Sequence, residues 1–127
     1  MKTNIVGWFE VPVVDIDRAV AFYSAVFGFE LQAQQFGEEI MAWFPYEEGK
    51  EGASGTLLYH KEKYTPSEQG IVVYFSAPSD DLSNELSRVV NAGGKIIQEK
   101  TLIAEDYGYY ALILDTEGNR IGLHSKK

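Results

Sequence analysis

The chain has 127 residues, of which 45% are hydrophobic and none is cysteine, and its formal net charge is −8. This length favours one domain with a core that needs neither disulfides nor thiolate-bound metal. The negative charge argues against a nucleic-acid or anionic-membrane partner, because both need a positive surface. No segment reaches the ~18–20 apolar residues of a membrane span, and Glu10 interrupts the N-terminal apolar run, unlike a signal peptide. We therefore expect a soluble cytoplasmic protein.

The first half of the chain predicts one strand, one helix and three further strands. Helical periodicity places four apolar side chains on one face, namely Ile16, Val20, Tyr23 and Phe27. Asp15 or Asp17 can accept hydrogen bonds from the first helical turn, and Gly28 suits a left-handed C-cap. The strand, the helix and the three strands are predicted at residues 5–14, 15–28, 29–36, 39–45 and 56–60.

The second half repeats this plan after a polar linker at residues 61–69. Its helix is predicted to present Leu82, Leu86 and Val89 on one face and to stop at Gly93. The sequence "TEGN" is a hairpin signal between the last two strands. Within it, Glu117 to Asn119 are interpreted as turn chemistry alone. The five elements of this half are predicted at residues 70–77, 78–94, 95–100, 109–115 and 119–125.

The two halves share a register, since thirteen residues separate Asp15 from Gly28 and also Asp80 from Gly93. A repeat of this kind dictates the architecture. One helix covers one face of a small sheet, so the other face must be buried elsewhere. We predict an α+β fold in which two tandem βαβββ modules, residues 1–62 and 68–127, form curved sheets around a shared cleft within one domain, residues 1–127. The alternative is a generic α+β sandwich with an accidental repeat.

Three segments carry a resemblance to a known family: "VPVVDIDRAVAFYSAVFGFEL", "NAGGKIIQ" and "DTEGNRIGLHS". Together with the adjacent Phe22 and Tyr23, they make nearly the whole chain resemble the glyoxalase, bleomycin-resistance and extradiol-dioxygenase superfamily, also called vicinal oxygen chelate proteins. The resemblance implies paired βαβββ modules around an open cleft, usually in a homodimer.

The sequence departs from this family at the metal site. Metal-using members hold a divalent ion with His and Glu side chains from the first and last strands of each module. By this resemblance the ligand positions fall on Trp8, on Val73 or Tyr74, on Gly122 and near Leu57. None of these side chains suits a hard divalent ion or a transition ion. We therefore expect no metal and no other cofactor, and a non-standard site using His60, His124 and Glu10 stays an alternative.

Strand alternation selects candidate cleft residues. If Trp8 faces the cleft, so does Glu10, and if Gly122 faces it, Arg120 and His124 share its face. A carboxylate in an apolar strand can serve as a general base, so Glu10 is the candidate catalytic residue. The structural alternative is an ion pair with Arg120. Gly122 marks either a close approach of ligand, a bulge, or a filled gap opposite Trp8.

Aromatic residues supply the remaining ligand-binding candidates. We predict a cleft edged by aromatic rings that would suit a flat or apolar small molecule. Core and dimer packing is the structural alternative for the same residues. The complete predicted ligand-binding set is Trp8, Trp43, Tyr74, Tyr109, Arg120, Gly122 and His124.

Three functional hypotheses follow, and fold alone does not choose among them. The first is a metal-independent protein that binds a small apolar or aromatic molecule in the cleft. The second is a lyase or isomerase of glyoxalase type, which uses a buried Glu10 as base or a non-standard metal site. The third is a structural or regulatory dimer whose cleft has closed around Trp8 and its neighbours.

Overall fold

A computed structural model describes all 127 residues of the chain. Its ten elements, in chain order, are β1 (Trp8–Pro12), α1 (Ile16–Phe27), β2 (Ala33–Phe36), β3 (Glu39–Trp43), β4 (Ser54–His60), β5 (Val73–Ser76), α2 (Leu82–Val89), β6 (Lys95–Ala104), β7 (Gly108–Leu114) and β8 (Arg120–Ser125). None of its helices is both long and apolar enough to cross a membrane.

The strands form two four-stranded sheets of the same topology, β1-β4-β3-β2 and β5-β8-β7-β6. In each sheet the first strand runs parallel to the last, and the remaining neighbours are antiparallel. A parallel pair requires a crossover connection, which α1 and α2 provide. The prediction of two βαβββ modules is confirmed. The alternative of an accidental repeat is wrong.

Helix caps fix where each module turns from strand to helix. Asp15 caps α1 by accepting a hydrogen bond from the backbone N–H of Arg18 at 3.1 Å, and Gly28 ends it in the left-handed conformation, φ 76°. The helix α2 is shorter than predicted at both ends, because Asp81 is its N-cap and Val89, not Gly93, is where it ends. The residues before Asp81 form a capping turn in which Ser79 donates from its N–H and its hydroxyl to the buried Glu85.

Both helices cover one face of their sheets and share a single core. Strand alternation places Val11 and Val13 of the first module and Ile121 and Leu123 of the second in that core. Tyr23 lies at its centre, and aromatic rings surround it with centroid distances between 5.2 and 6.1 Å. Burial of each large apolar side chain contributes about 1.5–3 kcal/mol to the free energy of unfolding, so packing in this shared core is the main interaction that holds the modules together.

The closing hairpin of the second module also clamps the start of α1 in the first. The carboxylate of Glu117 accepts hydrogen bonds from the backbone N–H groups of Val14 and Asp15, each at 2.8 Å, and pairs with Arg18 at 2.8 Å. The amide of Asn119 donates to the carbonyl of Pro12 at 2.8 Å. The interpretation of "EGN" as turn chemistry alone is therefore incomplete, because its side chains join the two modules.

Candidate ligand cavity

A cavity of about 1020 Å³ lies along β1 and β5, the edge strands of the two sheets that do not pair with each other. Its walls combine exposed rings from these strands with rings that reach in from the shared core. The aromatic lining residues are Trp8, Phe9, Phe29, Phe44, Tyr74 and Phe75. A concave, largely apolar space of this size is typical of small-molecule sites, which measure about 300–1,000 Å³.

Trp8 is held in the cavity wall by two contacts on its own sheet. Its indole Nε1 donates to Oε2 of Glu10 at 3.4 Å, and its ring meets Trp43 edge-on with centroids 6.4 Å apart. Trp43 in turn contacts Phe36 at 5.2 Å. Trp43 therefore supports Trp8 from behind and is not itself part of the cavity lining.

Glu10 lines the cavity, but its surroundings differ from those predicted. The side chain is exposed, whereas the base hypothesis expected burial. Arg120 does not pair with it, because its Nε donates to the backbone carbonyl of Glu68 at 3.1 Å. The negative charge of Glu10 acts on the nearby Tyr64, whose pKa is raised by this charge first and then by burial and by Glu39. The suggested Glu10–Arg120 ion pair is therefore wrong.

Gly122 leaves room for an aromatic ring. It lies beside Tyr74 on neighbouring parallel strands, and a Cβ atom at this position would lie 2.7 Å from Cγ of Tyr74. The gap is thus filled, although by Tyr74 and not by Trp8. Tyr74 stays 51% exposed and presents its ring to the cavity.

Of the seven predicted ligand-binding residues, Trp8 and Tyr74 line the cavity, whereas Trp43, Tyr109, Arg120, Gly122 and His124 do not. The ring nitrogen Nε2 of His124 lies 2.6 Å from the carbonyl oxygen of Tyr107, to which it donates. Tyr109 is opposite Ser125 and packs against the core, with the ammonium of Lys100 4.5 Å from its ring centre. Tyr109 is therefore not part of the cavity lining, and the adjacent Tyr110 is the residue that shares the face of His124.

The residues at the family's metal positions do not fit a divalent ion. At the position near Leu57, neither of two neighbouring residues is a ligand. Leu57 is buried in the core, and the hydroxyl of Thr56 donates to the carbonyl of Ala42. His60 is buried, and its Nδ1 accepts from two backbone N–H groups, those of Glu62 and Lys63. Nowhere do three His, Asp or Glu side chains converge as ligands would.

Sequence reasoning missed the contribution of the linker. Thr65 and Ser67 line the cavity, as do Gly70 and Ile71 just beyond. The backbone N–H of Ser67 donates to Oδ1 of Asn119 at 3.2 Å, which ties the linker to the closing hairpin. The sequence signal was the change from the polar linker to the apolar Ile71. This side chain is 96% exposed, so its apolar character brings no stability unless a bound molecule covers it.

Comparison with known proteins gives one family. The model of the Glyoxalase/Bleomycin resistance protein/Dioxygenase superfamily matches residues 5–123. A comparison with curated proteins finds no significant match.

Solved structures share this fold at low sequence identity. TnmS3, an antibiotic binding protein from Streptomyces sp. CB03234, is 24% identical with a TM-score of 0.67, over 100% of this chain and 99% of that one. A domain from Frankia sp. EAN1pec, described as glyoxylase/bleomycin resistance protein/dioxygenase, is 16% identical with a TM-score of 0.73, over 98% and 99%. Glyoxalase I from Zea mays is 17% identical with a TM-score of 0.66, over 94% of this chain but 45% of the maize chain. The chain thus spans less than half of the maize enzyme.

Proposed function

The chain belongs to the glyoxalase/bleomycin resistance protein/dioxygenase superfamily, and on that premise we propose that it binds a small apolar or aromatic molecule without a metal ion. The cavity of about 1020 Å³ between β1 and β5 is the observation that carries the proposal. Exposed apolar side chains at its walls, including Trp8 and Tyr74, lose contact with water only when something fills it. The fold of an antibiotic binding protein over the full chain length adds support.

The metal-free part of the proposal rests on the chemistry of the ligand positions. Trp8, Tyr74 and Gly122 supply no carboxylate or imidazole where the family places them. A side chain at residue 122 would also collide with the ring of Tyr74. Binding is then driven by burial of apolar area and by ring contacts, which favours flat ligands with few polar groups.

Titration with acridone, a flat uncharged aromatic molecule, tests this function. Calorimetry is expected to show one saturable site per chain, and Trp8→Ala is expected to weaken it about tenfold by removing ring contacts. The matched control is Tyr107→Ala, because Tyr107 is a 68% exposed aromatic outside the cavity. Absence of saturable binding contradicts the proposal.

Elemental analysis of the purified protein tests the metal-free part separately. We expect no stoichiometric divalent metal and no change in acridone affinity after treatment with a chelator. Tight stoichiometric binding of nickel or zinc in a calorimetric titration would contradict it.

A lyase or isomerase of glyoxalase type is the second candidate, favoured by the position of Glu10 on the cavity wall. In this reading Glu10 takes a proton from a bound substrate, which requires its carboxylate to lie within about 3 Å of that proton's carbon or oxygen. Unchanged turnover in Glu10→Gln, for any reaction found, would remove Glu10 from catalysis. The third hypothesis, a closed cleft, is disfavoured by the volume of the cavity.

The proposal includes a homodimer located in the cytoplasm. Phe36 and Trp43 are exposed and adjacent, as interface residues are, and their burial would favour association. Light scattering measures the oligomeric state directly, and a mass of 14.2 kDa, that of one chain, would contradict the dimer.

A further inference from the structure

The cavity wall carries negative charge and no positive charge. Of the 22 residues that line it, Glu10 and Glu51 are acidic and none is Lys, Arg or His. Both side chains are exposed, so water and salt screen their charge, but both face the space that a ligand would fill. A phosphate or carboxylate on a ligand would find no cationic partner here and would meet two like charges.

Glu10 is the carboxylate best placed to receive a cation. Its only hydrogen bond is the 3.4 Å contact of Oε2 with the indole of Trp8, so Oε1 is free. None of the six ion pairs of the chain involves Glu10, and Arg120 donates instead to the carbonyl of Glu68. The carboxylate therefore lacks a counter-ion on the protein.

Aromatic faces add to this preference. Trp8 and Tyr74 are 42% and 51% exposed and both line the cavity. Cations are attracted to the faces of such rings, and tryptophan is the strongest of them. The same wall thus offers a π surface for a flat ring system and a free carboxylate for a positive charge attached to it.

We propose that the cavity selects aromatic ligands that carry one positive charge, with Glu10 as the counter-ion and Trp8 as the adjoining ring. This inference rests on the proposed small-molecule function and names the ligand class. A cavity with this preference excludes anionic aromatic compounds of the same shape.

Three flat three-ring probes of similar size separate charge from shape: cationic 9-aminoacridine, neutral acridone and anionic anthracene-9-carboxylate. Fluorescence titration at neutral pH gives the dissociation constant of each. We expect the cation to bind about five- to tenfold tighter than acridone, the sum of a cation–π contact and a solvent-exposed ion pair. The anion is expected to bind weakest. Added salt should reduce the difference in affinity between the cationic and the anionic probe.

Glu10→Gln keeps the shape of the side chain and removes its charge. In this variant the ratio of cation to acridone affinity is expected to fall about two- to fivefold, which leaves the share that the cation–π contact with Trp8 supplies. Glu99→Gln is the matched control, because it removes one negative charge, as Glu10→Gln does, but at an exposed residue of β6 outside the cavity. It should keep the wild-type ratio.

Equal binding of the three probes by the wild-type protein overturns the charge preference and leaves the small-molecule function standing. A preference that Glu10→Gln leaves unreduced, or that falls equally in Glu99→Gln, overturns the role of Glu10. Failure of all three probes to bind overturns the proposed function together with this inference.

Discussion

The ring of Tyr74 occupies the space in which a side chain at residue 122 would have to stand. A Cβ atom on Gly122 would lie 2.5 Å from Cε2 and 2.7 Å from Cγ of Tyr74, far inside contact distance. The same relation occurs in the first module, where a Cβ on Gly55 would lie 2.5 Å from Cδ1 of Phe9. In both sheets a glycine of the last strand thus accommodates an aromatic ring from the parallel edge strand.

Gly122→Ala is expected to displace Tyr74 and to cost about 1–3 kcal/mol of unfolding free energy, as overpacking does. Chemical denaturation measures the loss. In a Tyr74→Ala background the same substitution should cost at least ~1 kcal/mol less, because the clashing ring is gone. Equal costs in the two backgrounds would show that Tyr74 is not the obstacle.

Gly55→Ala is expected to destabilise the fold more than Gly122→Ala. Phe9 packs against the core, with Phe44 and Phe75 at 5.6 and 5.8 Å, so displacing its ring would break these core contacts. Tyr74 is half exposed and can turn outward. Denaturation midpoints of the two variants, compared side by side, test this order. A larger loss in Gly122→Ala would contradict it.

Local signals were sufficient to predict the architecture. The cap at Asp15, the left-handed Gly28 and the alternation of Val11 and Val13 with their neighbours each depend on residues close in sequence. Such features survive in any tertiary context that buries the apolar face. The duplication then predicted two similar modules, because each unit has one helix on one sheet face and must bury the other face.

The site was less accessible to sequence reasoning because it depends on contacts between distant residues. Strand register decides whether Tyr109 or Tyr110 shares the face of His124, and a shift of one residue reverses the answer. Burial of Glu10 depends on how far β1 stands from β5, which no local pattern encodes. The role of Glu117 depends on a partner segment about 100 residues away.

Glu117→Ala should cost about 2–4 kcal/mol, because it leaves the backbone N–H groups of Val14 and Asp15 and the guanidinium of Arg18 without their acceptor. Thermal or chemical unfolding followed by circular dichroism measures the loss. Glu105→Ala is the control, since this exposed carboxylate is in a turn and forms no ion pair. A loss in Glu117→Ala no larger than in the control would mean that the clamp between the modules contributes nothing.

Stability is expected to fall in acid through the same carboxylate. Burial alone would raise the pKa of Glu117, but its hydrogen bonds from Arg18, Asp15, Thr116 and Val14 hold it below the ordinary value. The pKa of Asp81 is lowered to about 2 by Lys100 and Ser83. A depressed pKa in the folded state gives stability that is complete above the unfolded values of about 4 and is lost as pH falls below them.

Melting temperatures between pH 7 and pH 2 test this expectation. The wild type should lose stability below about pH 4, whereas Glu117→Gln should start lower at pH 7 and decline less steeply, because it has no charge to lose. Parallel curves for the two proteins would remove Glu117 from the acid response.

Tyr23→Phe is expected to cost about 1–2 kcal/mol, the value of a buried hydrogen bond. The hydroxyl of Tyr23 donates to Oδ2 of Asp115 at 2.7 Å, and that oxygen keeps the amide of Asn119 when the hydroxyl is removed. Burial, followed by the charge and the hydrogen bond of Asp115, raises the pKa of Tyr23 well above its ordinary value. Tyr23 should therefore remain protonated until the protein unfolds, and folded-state stability should decline above pH 10, where the unfolded phenol ionises.

Phenolate absorbance separates this electrostatic claim from simple packing. Of the eight tyrosines, Tyr23 should contribute nothing to the reversible alkaline titration of the folded protein. Wild type and Tyr23→Phe should consequently show the same amplitude before unfolding. A smaller amplitude in Tyr23→Phe than in the wild type would mean that Tyr23 ionises in the folded state. The hydrogen bond to Asp115 would then not keep the phenol of Tyr23 protonated.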